Sequence, residues 1–157
     1  MIEQISAFFT IEMIYLWLSF GVIPFWLILI FFPQSKICGL LATSIFPFLI
    51  LGSVYVYLIY YFFNTDYDFL ENFELYLGIY NLANLFENEA FLILIWTHFL
   101  AINLFCAAWI VRDSQKYFMS KYFNIIPLII TYFVGPIGIV IYWIIRIFFA
   151  KKISLFD

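Results

Sequence analysis

Four apolar stretches, each about as long as a bilayer crossing, alternate along the chain with two short polar connections and one long acidic one. The first covers about residues 11–32 and ends at Pro33; at 1.5 Å per residue it is about 33 Å long, against a hydrocarbon core of about 30 Å. The second, about 39–63, opens after Gln34–Ser35–Lys36, a connection so short that the two helices must form an antiparallel hairpin. The third, about 91–111, is closed by Arg112–Asp113. The fourth, about 125–145, follows a polar connection containing Lys116 and Lys121 and leads into Arg146, Lys151 and Lys152. The apolar runs are continuous and lack the two-residue alternation of barrel strands. They predict an all-α protein, an integral membrane bundle of four transmembrane helices forming a single domain over residues 1–157. Pro24 and Pro47 fall inside the first two spans. Each removes an amide donor and frees a carbonyl one turn back, so kinks healed by neighbouring helices or Ser/Thr hydroxyls are expected there.

Between the second and third spans lies Asn64 to Glu89, with Asp66, Asp68, Glu71, Glu74, Glu87 and Glu89 and no basic residue. Leu70, Phe73, Leu77, Tyr80 and Phe86 recur in it at helical spacing, which predicts an acidic segment lying partly in the interface plane. Four spans place both termini on one side, with Lys36, Arg112, Lys116 and Lys121 on one face of the membrane and Arg146, Lys151 and Lys152 on the other. Four against three leaves orientation nearly open. The acidic connection tips it toward a cytoplasmic or stromal location for the connections between spans one and two and between spans three and four. Glu3 and Glu12, with no cation before Lys36, do not read as a cleavable signal, so the first span is expected to persist.

Composition supports lipid as the solvent: the 157 residues are 67% hydrophobic and only 11% charged, outside the range of water-soluble domains. The formal charge of −3 comes without a basic patch, which excludes a nucleic-acid partner. Membrane lipid is the expected surrounding, in a bacterial inner membrane or a plastid membrane, and a homo-oligomer or a second membrane protein are the partners left open. Cys38 and Cys106 form no CxxC pair and have no metal-ligand spacing, so neither metal nor other cofactor is expected. Twenty-two Phe and twelve Tyr suit a pocket for a flat conjugated lipid, and equally suit a genome of low GC content.

Few ionisable residues fall within the spans, and each is a functional candidate because burying it in hydrocarbon is costly. His98, the single histidine, lies about two turns into the third span. At 100° per residue it shares a stripe with Ala101, Phe105, Trp109 and Arg112, while Asn103 points about 140° away, nearer Trp96 and Ile110. A satisfied packing histidine and a proton-transfer or ligand-contact histidine both remain open. Arg112 and Asp113 sit at the expected headgroup level, as interface markers or, for Arg112, as a polar clamp. In the fourth span, Pro136 frees the carbonyl of Tyr132, while Gly135 and Gly138 admit another backbone closely. The segment therefore reads either as a kinked packing seam or as a broken-helix binding site. Gly135, Tyr142 and Arg146 share one face and draw a polar line from the break to a membrane surface. No GxSxG, Walker, HExxH or haem-attachment pattern occurs.

Trp96-x-His98-Phe99-Leu100-Ala101-x-Asn103-Leu104-Phe105, then Trp109-Ile110-x-Arg112-Asp113, then Gly135-Pro136-x-Gly138 before a helix bearing Tyr142, resembles the abscisic-acid-deficiency-four-like family. Ile23-Pro24-Phe25-Trp26-Leu27 followed by Pro33 resembles the same family's first helix. The resemblance covers roughly half the chain. It implies a small four-helix membrane protein, which in plants is needed to make the allenic xanthophyll neoxanthin from the epoxide violaxanthin. The chain departs from the family pattern with Asn103 in place of an Asp and with Ala107–Ala108 in place of Gly–Arg. The resemblance makes His98 and Asp113 the candidate acid and base for epoxide opening. It makes Trp96, Asn103, Trp109, Arg112, Tyr132, Gly135, Pro136 and Gly138 the candidate contacts to a carotenoid ligand.

Two functions follow. One is a carotenoid-linked protein, an isomerase of the violaxanthin-to-neoxanthin type or a pigment-binding factor; the other is a non-catalytic scaffold or subunit that docks a protein partner. A transporter ranks third, because four spans with one histidine offer few polar groups for a pathway.

Overall fold

The computed structural model describes residues 9–65 and 67–151; Glu3, Asp66 and Lys152, which entered the charge pattern above, lie outside them. Every regular element among the described residues is helical. The α-helices are α1 (Ile11–Gly21), α2 (Ile23–Phe31), α3 (Phe46–Phe63), α4 (Ile79–Glu87), α5 (Glu89–Lys116), α6 (Tyr122–Phe133) and α7 (Gly135–Ala150). Three stretches are long and apolar enough to cross a membrane: Ile11–Phe31, Cys38–Phe63 and Glu89–Lys116. Their ends fall close to the first three predicted spans. The third runs five residues beyond Val111, because Asp113 and Ser114 find partners inside the protein.

The expected breaks occur where prolines remove donors. Pro24 sits in the first turn of α2, just after the Val22 turn that separates it from α1. Pro47 lies in the first turn of α3, after a non-helical Thr43–Ile45 step. Hydroxyls heal that step: Thr43 Oγ1 donates to the carbonyl of Cys38 (3.3 Å), and the amide of Phe46 donates to Ser44 Oγ (3.1 Å). The residues Cys38–Ala42 before it form a π-helical turn.

These breaks coincide with a division of the chain into two compact units, Met1–Gly21 with Phe48–Leu100, and Val22–Pro47 with Ala101–Asp157. In the first unit, the acidic connection folds as a 3₁₀ turn (Glu71–Tyr76) followed by α4, joined at Gly78 with φ +146°, a left-handed backbone suited to glycine. Leu70, Phe73, Tyr76, Leu77 and Tyr80 are all exposed, and Leu85 is buried.

The second unit differs in form from one expectation. The fourth apolar segment, predicted as a single span over about 125–145, is an antiparallel helical hairpin. Pro136 has no amide to continue the helix, Val134 leaves the helical region with φ −141° and ψ 82°, and α6 ends at Phe133. The arms fold back on each other: Gly138 of α7 lies against Thr131 and the carbonyl of Pro127 in α6, and Phe123 meets Phe149 with ring centroids 5.0 Å apart. At about 18 and 24 Å, neither arm reaches across a hydrocarbon core of about 30 Å. The hairpin therefore returns Lys151 to the end of the unit that holds Lys121, and the inference that both termini share one side, which needed four crossings, no longer follows.

Charge is divided in the same way. All described basic residues, Lys36, Arg112, Lys116, Lys121, Arg146 and Lys151, belong to the second unit. Among the described residues, every carboxylate except Asp113 belongs to the first. Within the second unit, a hydrogen bond from Gln115 Nε2 to the carbonyl of Pro33 joins the end of α5 to the connection that carries Lys36.

Candidate functional site

The polar residues of the second unit converge on one face of α7. Gly135, Gly138, Tyr142 and Arg146, at i, i+3, i+7 and i+11, are all buried, as helical periodicity requires of one stripe. Opposite them, α5 buries Asn103, Leu104, Ala107, Ala108, Ile110, Val111 and Ser114. The stripe predicted around His98 is the opposite, outer one: His98, Phe105 and Arg112 are exposed, Ala101 and Trp109 half-buried.

Asp113, one residue past that stripe, turns inward. Its Oδ2 accepts Nε–H of Arg146 at 2.7 Å and the Tyr142 hydroxyl at 2.6 Å, and Oδ1 lies 3.5 Å from Nη2 of Arg146. Nη2 also donates to the Tyr117 hydroxyl at 3.0 Å. The guanidinium stands over the Tyr117 ring (4.8 Å) and beside that of Trp143 (5.6 Å). Trp109 meets Tyr142 edge-on at 5.6 Å. The ion pair is enclosed, with side-chain exposures of 1% for Arg146 and 9% for Asp113. An enclosed cation is tolerable only because carboxylate, phenol and ring faces replace water around it. Asp113 thus pairs with Arg146 from α7, whereas Arg112 beside it in sequence stays exposed as an interface residue.

Toward the hairpin tip the polar groups are less satisfied. Asn103, 4% exposed, presses its carboxamide onto Gly135, and its Nδ2 has no partner. A buried donor left unpaired costs about 1–3 kcal/mol, so this group is available to an acceptor. Near the other end, Asn124 Nδ2 donates to Ser114 Oγ (2.6 Å), while Asn124 Oδ1 is buried and unpaired. Thr131 returns its hydroxyl to the carbonyl of Pro127 (2.7 Å) and forms the surface on which Gly138 rests. Tyr132 packs edge-on against Trp26 at 5.2 Å, and Pro136 is exposed.

The structure therefore gathers Asn103, Asp113, Gly135 and Gly138 of the predicted set along the inner faces of α5 and α7, and half-buried Trp109 reaches Tyr142 from the edge of the outer stripe. Trp96 and His98 belong to the first unit. There Trp96 donates Nε1–H to Ser19 Oγ (3.0 Å) and lines a groove of about 610 Å³ with Tyr15, Ile93, Glu12 and Glu89. His98 is fifteen residues before Asp113 in α5. The predicted set omitted Tyr142, Arg146, Tyr117, Asn124, Ser114 and Thr131. Tyr142 and Arg146 were visible as the polar line running from Gly135, whereas the rest needed the hairpin. Among the described residues, no group of three or more His, Cys, Asp or Glu side chains is placed to hold a metal.

Comparison with known proteins places this geometry in context. The family described as ABA DEFICIENT 4-like matches residues 13–142, a range that includes Asp113 and Tyr142 and stops four residues short of Arg146. The Protein ABA DEFICIENT 4, chloroplastic, of Arabidopsis thaliana is 29% identical over 105 residues, which is 61% of this chain and 44% of that relative. The chain thus matches less than half the length of this relative. No solved structure matches it.

Proposed function

This chain belongs to the ABA DEFICIENT 4-like family, and we propose that it acts in xanthophyll metabolism as a plastid or bacterial inner-membrane protein, isomerising an epoxy-carotenoid. The enclosed Asp113–Tyr142–Arg146 network carries this reading. It is a proton-bearing cluster set in a helical unit otherwise rich in apolar and aromatic side chains, where ionisable groups are retained at a cost of several kcal/mol.

Opening an epoxide to an allene transfers one proton to the epoxide oxygen, breaks a C–O bond and removes one proton from an adjacent polyene carbon. Reactant and product contain the same atoms, and no redox partner is required. The Tyr142 hydroxyl donates to Asp113 Oδ2 at 2.6 Å, so the phenol can serve as the acid and the carboxylate as the base that receives the departing proton, with their hydrogen bond returning that proton to the phenol. Arg146 positions the carboxylate and its charge. The unpartnered amide of Asn103 donates to an oxygen on the polyene, and Trp109 presents its ring beside Tyr142. His98 is exposed and belongs to the first unit, and this chemistry does not draw on it.

Pigment extracts of cells with and without the chain test this directly. The expected result is loss of the allenic product without it, a fall of about 10²-fold or more for Tyr142→Phe, and no change for His98→Ala. Unchanged pigments in the Tyr142→Phe strain would sink the proposal. The exposed Leu70, Phe73, Tyr76 and Leu77 favour a second reading, a docking subunit; purified protein that is colourless and copurifies stoichiometrically with another polypeptide would support it.

We further propose that the basic end of the second unit faces the cytoplasm or stroma. In a background lacking Cys38 and Cys106, single cysteines at Lys36 and Lys151 are expected to react with an impermeant reagent from the same side, and one at Glu74 from the other. Labelling of position 151 together with position 74 would mean that the hairpin opens into a crossing.

A further inference from the structure

The basic residues of the second unit surround a feature that the proposed chemistry does not use. Where the end of α5 meets the connection after α2, a depression of about 410 Å³ is lined by Gln34, Ser35, Lys36, Gln115, Phe118 and Met119. Gln115 fixes its rim through the hydrogen bond to Pro33. Met119 forms its floor, 2% exposed, with Sδ 3.9 Å from the Tyr142 hydroxyl.

Three independent observations identify an occupant. The first is charge. Of the described residues in this unit, Asp113 is the single carboxylate, and Arg146 already pairs with it. Among the described residues, Lys36, Arg112, Lys121 and Lys151 add positive charge to this unit without adding a carboxylate. The second is the setting of the depression. Phe32, Ile37 and Leu40, beside Lys36 in sequence, are 63%, 58% and 72% exposed. A polar, cationic hollow flanked by exposed apolar side chains suits an amphiphile and suits a water-soluble anion poorly.

The third is Phe118. It is 96% exposed and holds φ +52°, in the left-handed region, where a residue with a side chain pays about 1–2 kcal/mol. That backbone is set by closure of the α5 C-terminus, in which the Met119 amide donates to the carbonyl of Ser114 (3.0 Å). The turn thrusts an aromatic ring outward at the rim, as interfacial aromatics are displayed at headgroup level.

We infer that this depression is a headgroup site for an anionic glycerophospholipid of the surrounding leaflet. Lys36 pairs with the phosphate, the Gln34 carboxamide donates to a second oxygen, and Phe118 lies along the first acyl carbons. The site is independent of the carotenoid reading, and its test involves no pigment.

Native mass spectrometry of the full chain in mild detergent, with equimolar phosphatidylglycerol and phosphatidylcholine added, reads it out. Phosphatidylglycerol adducts are expected to persist preferentially. Lys36→Gln is expected to lower their occupancy about fivefold, the worth of one cation at an anionic surface. Lys36→Arg should retain them, and Lys121→Gln, which removes a cation that does not line the depression, should change them less than twofold. Equal retention of the two lipids would overturn the assignment. So would equal losses in Lys36→Gln and Lys121→Gln, which would mean a diffuse charge effect. Displacement of the lipid by inorganic phosphate at the same concentration would also overturn it in favour of a free-anion site.

Discussion

Asp113→Asn is expected to remove about 3–5 kcal/mol of stability, one of the two largest effects of a single substitution in this protein. The substitution keeps size and shape and deletes the charge that balances Arg146, whose side chain is 1% exposed. A guanidinium left in apolar surroundings without its carboxylate carries an uncompensated desolvation cost of this size. The Tyr117 hydroxyl and the Tyr117 and Trp143 rings offset only part of it. For a chain of this length, such a loss lowers Tm by on the order of 10 °C, measurable by thermal unfolding in detergent. Arg146→Met alone is also destabilising, because Asp113 then keeps only the Tyr142 hydroxyl. The double variant Asp113→Leu with Arg146→Met removes both charges and is expected to recover most of the loss in either single variant, since replacing a whole buried pair with apolar groups is often near neutral. On the proposed mechanism activity does not return with it, because the double variant has no carboxylate to receive the proton. A loss below about 1 kcal/mol for Asp113→Asn would show that water reaches the pair and screens it as it does at an open surface.

What the sequence disclosed about this unit, and what it concealed, follow from the range of the interactions involved. Continuous apolar runs report solvent, and lipid as solvent leaves the backbone little choice but the helix, so the first three long helices were legible nearly to their ends. The prolines were legible as well, and so was the need for Ser/Thr hydroxyls to repair the breaks, a part that Thr43 and Ser44 take before α3. The hairpin was only half legible. Gly135-Pro136-x-Gly138 announces a break or a close approach, but the choice between a kink and a reversal lies in Thr131 and Pro127, a turn or more earlier, and no local pattern weighs that contact. Asp113 was ambiguous for a similar reason. A charge at the apparent end of a span reads as an interface marker next to Arg112 until another helix brings Arg146 within 2.7 Å. Correcting the hairpin also clarifies the charge pattern. Lys121 and Lys151 come to one end of the unit, and a basic count that divided almost evenly over four spans becomes one-sided.

Gly138→Ala should be as damaging as a methyl group can be, at about 3 kcal/mol or more, and the reason lies in what the methyl would strike. A Cβ built there collides with Thr131 Oγ1 and would stand 2.5 Å from the Thr131 nitrogen and 2.7 Å from the Pro127 carbonyl oxygen. A side chain can swing aside, but these backbone atoms belong to the hydrogen-bonded ladder of α6, so relief requires α6 and α7 to separate, and overpacking of this kind costs about 1–3 kcal/mol or more. Gly52 in α3 provides the control, since a Cβ there meets nothing within 4 Å. Gly52→Ala gains helix propensity and is expected to be neutral or to stabilise by up to about 1 kcal/mol. The two substitutions are the same in chemistry and opposite in predicted sign. Thr131→Ala added to Gly138→Ala removes the hydroxyl clash and leaves the backbone contacts, so it should restore only part of the loss. Tyr142 and Arg146 lie on the arm that would shift, so under the proposed function Gly138→Ala is expected to lose isomerisation together with stability. A Gly138→Ala protein that unfolds like the parent, together with labelling of position 151 from the side of position 74, would show that α6 and α7 do not close on each other in the membrane, and the Asp113 site built on that closure would fall with it.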